Sequence, residues 1–425
     1  MAAPAHSLPL LTRLALSARR AGIWPVMMAV IALLVSLPVL TVLFHVFVPA
    51  PEIWGHLAST VLPRYLLNTV GLTLGVGLGV LVIGVGTAWL VVMCRFPGQR
   101  IFEWALLLPL AVPTYVIAYA YTDFLQFAGP LQTFLRELFG WSGGDYWFPP
   151  VRSLGGAIAL LTLVLYPYVY LLTRAAFLEQ SVCVLEVGRT LGRGPWRLFA
   201  TVAVPLARPA IAGGAALALM ETLNEFGAVQ FFAVDTFTTG IYRTWFGLGE
   251  RAAAAQLAGV LLLFVMVLLV LERVSRGKSQ FFHTSSRYRE LPRYELSSGK
   301  RVLAFLACAM PVGFGFVLPA LLLLEMALTN GDSQFGWAFL PYVFNSISLA
   351  SIAALLAVGL AVVLSYGVRL APSPLTQAAI RVSAMGYAVP GAVIAVGVLI
   401  PLGWLDQRLY GVLHGDWGWD VGLIL

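Results

Sequence analysis

Residues 186–205 and the trio Glu221, Asn224 and Glu225 carry the side chains of this sequence whose types and spacing could do chemistry. In the first segment Glu186 and Arg189 suit a short amphipathic helix, Gly192 allows a turn with positive φ, and Pro195 and Trp196 open a second short helix. Val202 and Pro205 then lead back into an apolar stretch. Docking a soluble partner is one reason to set two short helices around a glycine between hydrophobic runs; an ordinary basic loop is the other reading. The trio is spaced i, i+3, i+4, so on a helix it shares one face. A hard, highly charged cation prefers such oxygen ligands, while the same residues equally suit fixed hydrogen bonds between helices. The tail Arg276-Gly277-Lys278-Ser279 imitates a phosphate-binding loop, yet Glu272 stands where the first glycine is required. Cys94, Cys183 and Cys308 are isolated from one another, and the five histidines show no metal-ligand spacing.

The elements that must position these residues are membrane helices. Only 11% of the 425 residues are charged and 60% are hydrophobic, too little polar surface for a water-soluble globule of this length. Residues 21–51, 65–94, 104–122, 153–173, 252–271, 302–324, 333–368 and 382–405 contain no Asp, Glu, Lys or Arg, and 209–233 is interrupted only by Glu221 and Glu225. About 20 apolar residues cross a bilayer, so nine spans are expected, with a tenth beginning near Val421. The first run is longer than a signal core and lacks a small-x-small cleavage site, and reads as a membrane helix.

Most of the 26 basic residues fall in alternate loops that include 174–208 and 272–301. The positive-inside rule makes those loops, and the amino terminus, cytoplasmic. The net charge of +7 follows from the same bias and gives no reason to invoke nucleic acid. The segment 123–152, rich in Gly, Trp and Pro, becomes a periplasmic loop with interfacial aromatics. The basic stretch between the two halves serves positive-inside anchoring, with a regulatory or anionic-lipid role as the alternative.

Two stretches recur 277 positions apart. Asn68-Thr69-Val70 answers Asn345-Ser346-Ile347, and Val112-Pro113 through Ala118 answers Val389-Pro390 through Ala395. The predicted fold is therefore an all-α polytopic membrane protein of two tandem units in the same orientation. Residues 1–271 form the first unit of about six helices, 272–301 a cytoplasmic linker, and 302–425 an incomplete second unit.

Glu186, Gly192 and Pro205 also stand at the spacing of the EAA loop of ABC-importer permeases, with Val187 and Gly188 replacing the two alanines, Val202 the isoleucine and Val204 the leucine. The chain resembles the fused two-unit, MetI-like, binding-protein-dependent permeases, and among them those for ferric iron. Residues 112–119, 165–170 and 220–227 carry the closer likeness, with thiamine, polyamine and sulfate importers as more distant relatives.

The resemblance implies that residues 183–205 form the coupling loop, with Glu186, Arg189, Gly192, Pro195, Trp196 and Pro205 facing an ATPase subunit, and that Glu221, Asn224 and Glu225 lie along the transport path. It implies a multi-pass inner-membrane subunit that is not itself an enzyme and binds no cofactor. ATP is used by two copies of a separate ABC ATPase, a periplasmic protein delivers the substrate, and membrane lipid surrounds the spans. An ion-coupled secondary transporter, the rival class, has no use for such a loop; it would hold its ion near the bilayer midplane. At the 277-residue spacing a second coupling loop is expected near position 463, so this sequence is expected to be incomplete as a functional permease.

Overall fold

The computed structural model describes residues 23–179, 194–276, 293–329 and 336–415. Apart from a two-residue parallel pair, in which β1 (Cys94–Arg95) meets β2 (Tyr294–Glu295), the regular structure of the described chain is helical. Among the described residues eight helices are long and apolar enough to span a membrane, in keeping with the charge-free runs. The main helices are α1 (Trp24–His45), α2 (Pro51–Thr60), α3 (Leu62–Met93), α4 (Gln99–Ala105), α5 (Thr114–Leu125), α6 (Pro130–Phe139), α7 (Leu154–Leu178), α8 (Val204–Asn224), α9 (Gly227–Phe231), α10 (Phe237–Tyr242), α11 (Arg251–Arg276), α12 (Ser298–Val312), α13 (Leu318–Thr329), α14 (Leu340–Leu370), α15 (Pro374–Ala384) and α16 (Gly391–Gly415).

Two of the nine expected spans differ from the reading of charge alone. The run 104–122 is not one straight helix: Gln99–Ala111 and Thr114–Phe139 meet at 89°. Pro113 explains the break, because a residue before proline is driven from helical to extended backbone, and Val112 sits at φ −109° and ψ 129°. In the run 209–233 the long helix stops at Asn224, where Glu225 takes ψ 126°, and helix resumes only as the short α9. Both interruptions fall inside apolar sequence, where irregular backbone is tolerated only against protein or a water-lined cavity. The tenth span expected from Val421 lies outside the described residues.

The helices form two compact groups by contact, Pro49–Thr329 and Met1–Val48 with Asn330–Leu425. In the first group α3 packs along α7, and α8 packs along both. Two glycines make that approach close. A Cβ on Gly84 of α3 would stand 2.7 Å from the Cβ of Val169 in α7, and one on Gly214 of α8 would stand 2.8 Å from the Val169 Cα. Van der Waals contact between small faces is what holds helices together where lipid removes the hydrophobic drive. Trp89, Tyr166, Tyr170 and Phe177 are fully buried in this core, and α12 packs on it through Ala304, Cys308 and Val312.

In the other group α1 packs on α14, α15 and α16. Its small core is Met28, Ala32, Leu364 and Ala379, and Gly397 lies against the Pro38 backbone. Contact therefore divides the chain at other points than the sequence repeat does: α1 groups with helices that follow the linker, and α12 and α13 with helices that precede it.

Candidate functional site

Glu186, Arg189 and Gly192 lie outside the described residues. The rest of the expected docking segment starts at Gly194, whose extended backbone precedes the helical turn Pro195–Leu198. No second break follows. The turn runs through a wide π-helical turn, Phe199–Ala203, directly into α8, so that Pro195–Asn224 is one span. Proline explains the widening: Pro205 has no N–H to give and its ring crowds the carbonyl four residues back, a strain a π-bulge relieves. The N–H of Val204 accordingly donates to the carbonyl of Phe199. Pro205 thus lies in the first turn of α8.

Trp196 is 62% exposed while Leu198, two residues on, is buried, so this turn offers an aromatic outward and anchors an aliphatic inward. Trp196 meets Phe199 edge-on at 6.2 Å, and Phe199 lies 5.0 Å from Trp89 near the end of α3. Trp89 also contacts Phe177 of α7 at 5.7 Å and Tyr294 of β2 at 6.4 Å. The same end of the core carries the ion pairs Glu103–Arg174 at 3.1 Å and Arg95–Glu295 at 3.5 Å, with Arg293 at 4.0 Å from Glu103. The Tyr170 hydroxyl donates to the Glu103 carbonyl at 3.1 Å. The far end of the linker is thereby strapped to the core beside the docking segment. The exposed Arg95–Glu295 pair contributes about 0–1 kcal/mol; the half-buried Glu103–Arg174 pair, the strand pairing and the ring contact add to it. Sequence reading missed Trp89, Glu103 and Tyr294, which come together from separate parts of the chain; Trp89 sits in a charge-free run like any other.

The acidic trio lies at the second interruption. Glu221 is half-buried on α8 and Asn224 is exposed at its last residue. Glu225 has left the helix, so the single face expected for all three extends only to Asn224. Its carboxylate joins two helix starts: Oε1 accepts from the Ala228 N–H of α9 at 2.8 Å, and Oε2 accepts from the hydroxyl of Thr114, the first residue of α5, also at 2.8 Å. A carboxylate at a helix N-terminus is stabilised by the orphan N–H groups and the macrodipole. The Glu225 carbonyl accepts from the Thr238 hydroxyl at 2.8 Å. Thr114 was not singled out from the sequence, although the Val-Pro-Thr motif that holds it was.

The other repeat motif has a holding role as well. The Asn68 side chain donates to the Asp235 carbonyl at 2.9 Å, and the Asp235 carboxylate pairs with Arg64 and Arg243. Among the described residues no cluster of three or more His, Cys, Asp or Glu is placed to hold a metal ion.

Residues 75–275 match the family described as binding-protein-dependent transport system inner membrane component. The chain is 28% identical over 391 residues to the Fe(3+)-transport system permease protein FbpB 2 of Haemophilus influenzae, a match covering 90% of this chain and 72% of that one. It is 31% identical to the molybdenum transport system permease protein ModB of Escherichia coli K12, over 46% of this chain and 87% of the relative. It is 29% identical to a Salmonella choleraesuis protein described as a putative 2-aminoethylphosphonate transport system permease protein PhnU, over 50% of this chain and 75% of that one.

Proposed function

Because the chain belongs to the binding-protein-dependent transport inner membrane components, we propose that it forms the membrane path of an ATP-driven importer whose substrate is ferric iron. The observation that carries iron is extent: the likeness to the iron permease runs over 90% of the chain, on both sides of the linker, whereas the molybdenum permease matches 46%. The substrate reaches the path from a periplasmic binding protein, and two ATPase subunits in the cytoplasm supply the energy. This chain performs no hydrolysis and binds no cofactor of its own.

In this reading the segment from Glu186 to Pro205 is the coupling surface, and Trp196 its aromatic contact. ATP biases the permease only through contacts that differ between its two states. Displacement of Trp196 passes through Phe199 and Trp89 to α3, α7 and the linker strap. The path runs past the interruptions of α5 and α8, where Glu221, Asn224 and Glu225 offer oxygen atoms to a hard cation. Broken helices at membrane depth are where transporters build such paths.

Proteoliposomes holding the permease, its ATPase and its binding protein test the substrate. ATP-dependent uptake of ferric iron in preference to molybdate and 2-aminoethylphosphonate is the expected result; preference for either oxyanion overturns the iron assignment. Uptake that needs no ATP and collapses with an ion gradient overturns the importer reading itself.

Orientation is tested separately. A reporter inserted within residues 280–294 reads cytoplasmic and one within 140–147 periplasmic, as the basic-residue bias requires. The reverse pair of readings refutes that orientation.

A further inference from the structure

Helix α6 is built inside out for a water-exposed loop. Pro130, Leu131, Phe134, Leu135, Leu138 and Phe139 occupy one half of its circumference, and Gln132, Thr133, Arg136 and Glu137 the other. In a helix resting on a soluble core the apolar half faces inward. Here Gln132 and Arg136 of the polar half face the loop, while Glu137 stays exposed. Gln132 is only 5% exposed; its amide donates to the Leu125 carbonyl at the end of α5 at 2.7 Å and accepts from the Tyr146 hydroxyl at 2.7 Å. Arg136 donates to the Phe127 carbonyl at 2.8 Å and to the Tyr146 and Thr133 hydroxyls at 3.0 Å, with its guanidinium 4.4 Å from the Phe127 ring centre. Phe134, Leu138 and Phe139 are left exposed on the outward half, and Trp147 nearby is 82% exposed.

We infer that α6 lies in the plane of the membrane interface, with its apolar half in the lipid at the end of the α5 segment. Three observations select lipid as the occupant. The inward polar groups already have partners, so the helix is held by its own loop and leaves its apolar half free. α6 follows α5 after four residues, and both belong to the second arm, Thr114–Phe139, of the bent apolar pair long enough to span the membrane. The residues beside it form an aromatic cluster of interfacial type: Phe139 stacks on Trp141 at 4.6 Å and Trp141 on Tyr146 at 5.4 Å. Gly140, in the left-handed conformation at φ 65°, ends the helix and turns the chain into that cluster. Glu137 borders the apolar half, on the headgroup side. The consequence reaches the broken helices, because α6 fixes the depth of α5, whose first residue bonds Glu225.

The test uses the full chain in lipid nanodiscs, where both leaflets are open, so it depends neither on orientation nor on substrate. With Cys94, Cys183 and Cys308 replaced by alanine, a polarity-sensitive fluorophore is placed at Phe134→Cys, Leu138→Cys or Gly144→Cys; a Cβ on Gly144 meets nothing within 4 Å. Nitroxide lipids labelled near the headgroup are expected to quench positions 134 and 138 at least about twofold more than position 144, and aqueous iodide to do the reverse. Equal iodide quenching at all three positions overturns the inference, as does protection of 134 and 138 that appears only when the binding protein is added. For the chain with its native cysteines, a photoreactive phenylalanine analogue at 134 gives the independent reading: cross-linking to lipid supports the placement, and a protein adduct alone refutes it.

Discussion

Trp196→Glu is expected to abolish ATP-driven uptake while leaving the amount of permease in the membrane unchanged. Exposure separates the two effects. With 62% of Trp196 already open, the substitution removes little buried area, and surface changes usually shift stability by about 0.5 kcal/mol or less. Docking is another matter, since a tryptophan at the centre of an interface is worth about 2 kcal/mol or more on truncation, roughly thirtyfold in affinity. A buried charge facing the ATPase adds to that loss. Glu186→Lys and Gly192→Val, earlier in the same segment, are expected to act alike, through charge reversal and through a β-branched side chain at a glycine whose place in the sequence calls for a turn of positive φ. Uptake is measured together with co-purification of the ATPase and the level of inserted permease. Normal uptake with undiminished co-purification in all three variants removes the coupling role from this segment. Loss of the permease itself would instead mean that Trp196 acts through Phe199 and Trp89 as part of the core.

The position of most spans was legible from charge alone, because a bilayer imposes a length on apolar sequence that no later packing overrides; of the nine expected, eight are single helices among the described residues and the ninth is the bent pair. Interruptions were less so. Pro113 was visible in the run 104–122, yet hydrophobicity is the same for a straight span and for one bent by 89°, and only the backbone at Val112 decides between them. The acidic trio was read on helical spacing, and that spacing presumes an unbroken helix. Glu225 instead caps α9 and holds α5, a contact with Thr114 that links positions far apart in sequence. The aromatic junction at Trp89 was illegible for a related reason. Its partners Phe177, Phe199 and Tyr294 come from three separate segments, and nothing local to Trp89 distinguishes it from the other eleven tryptophans. The grouping of α1 with α14, α15 and α16 is likewise tertiary: repeat matching aligns sequence with sequence and says nothing about which helices touch.

Glu225→Gln is expected to lower uptake at least about tenfold while the folded permease falls far less. A glutamine keeps the length and one carbonyl oxygen of the native side chain, so either the Ala228 N–H or the Thr114 hydroxyl retains its acceptor, and the half-buried site stays filled. What it loses is the negative charge between two helix starts and one of two charge-assisted bonds, worth about 1.5–3 kcal/mol at most. Thr114→Val complements it, because the carboxylate survives and only the bond from α5 is cut. If the carboxylate serves the path, Thr114→Val retains more transport than Glu225→Gln; if it serves only to fasten α5 to α9, the two variants lose uptake and folded protein in parallel. Glu225→Ala strips both donors of their acceptor and is expected to reduce the folded permease itself. Uptake per molecule of inserted permease, measured for all three, decides the role: equal values for Glu225→Gln and the native chain would remove Glu225 from the path and leave it a cap.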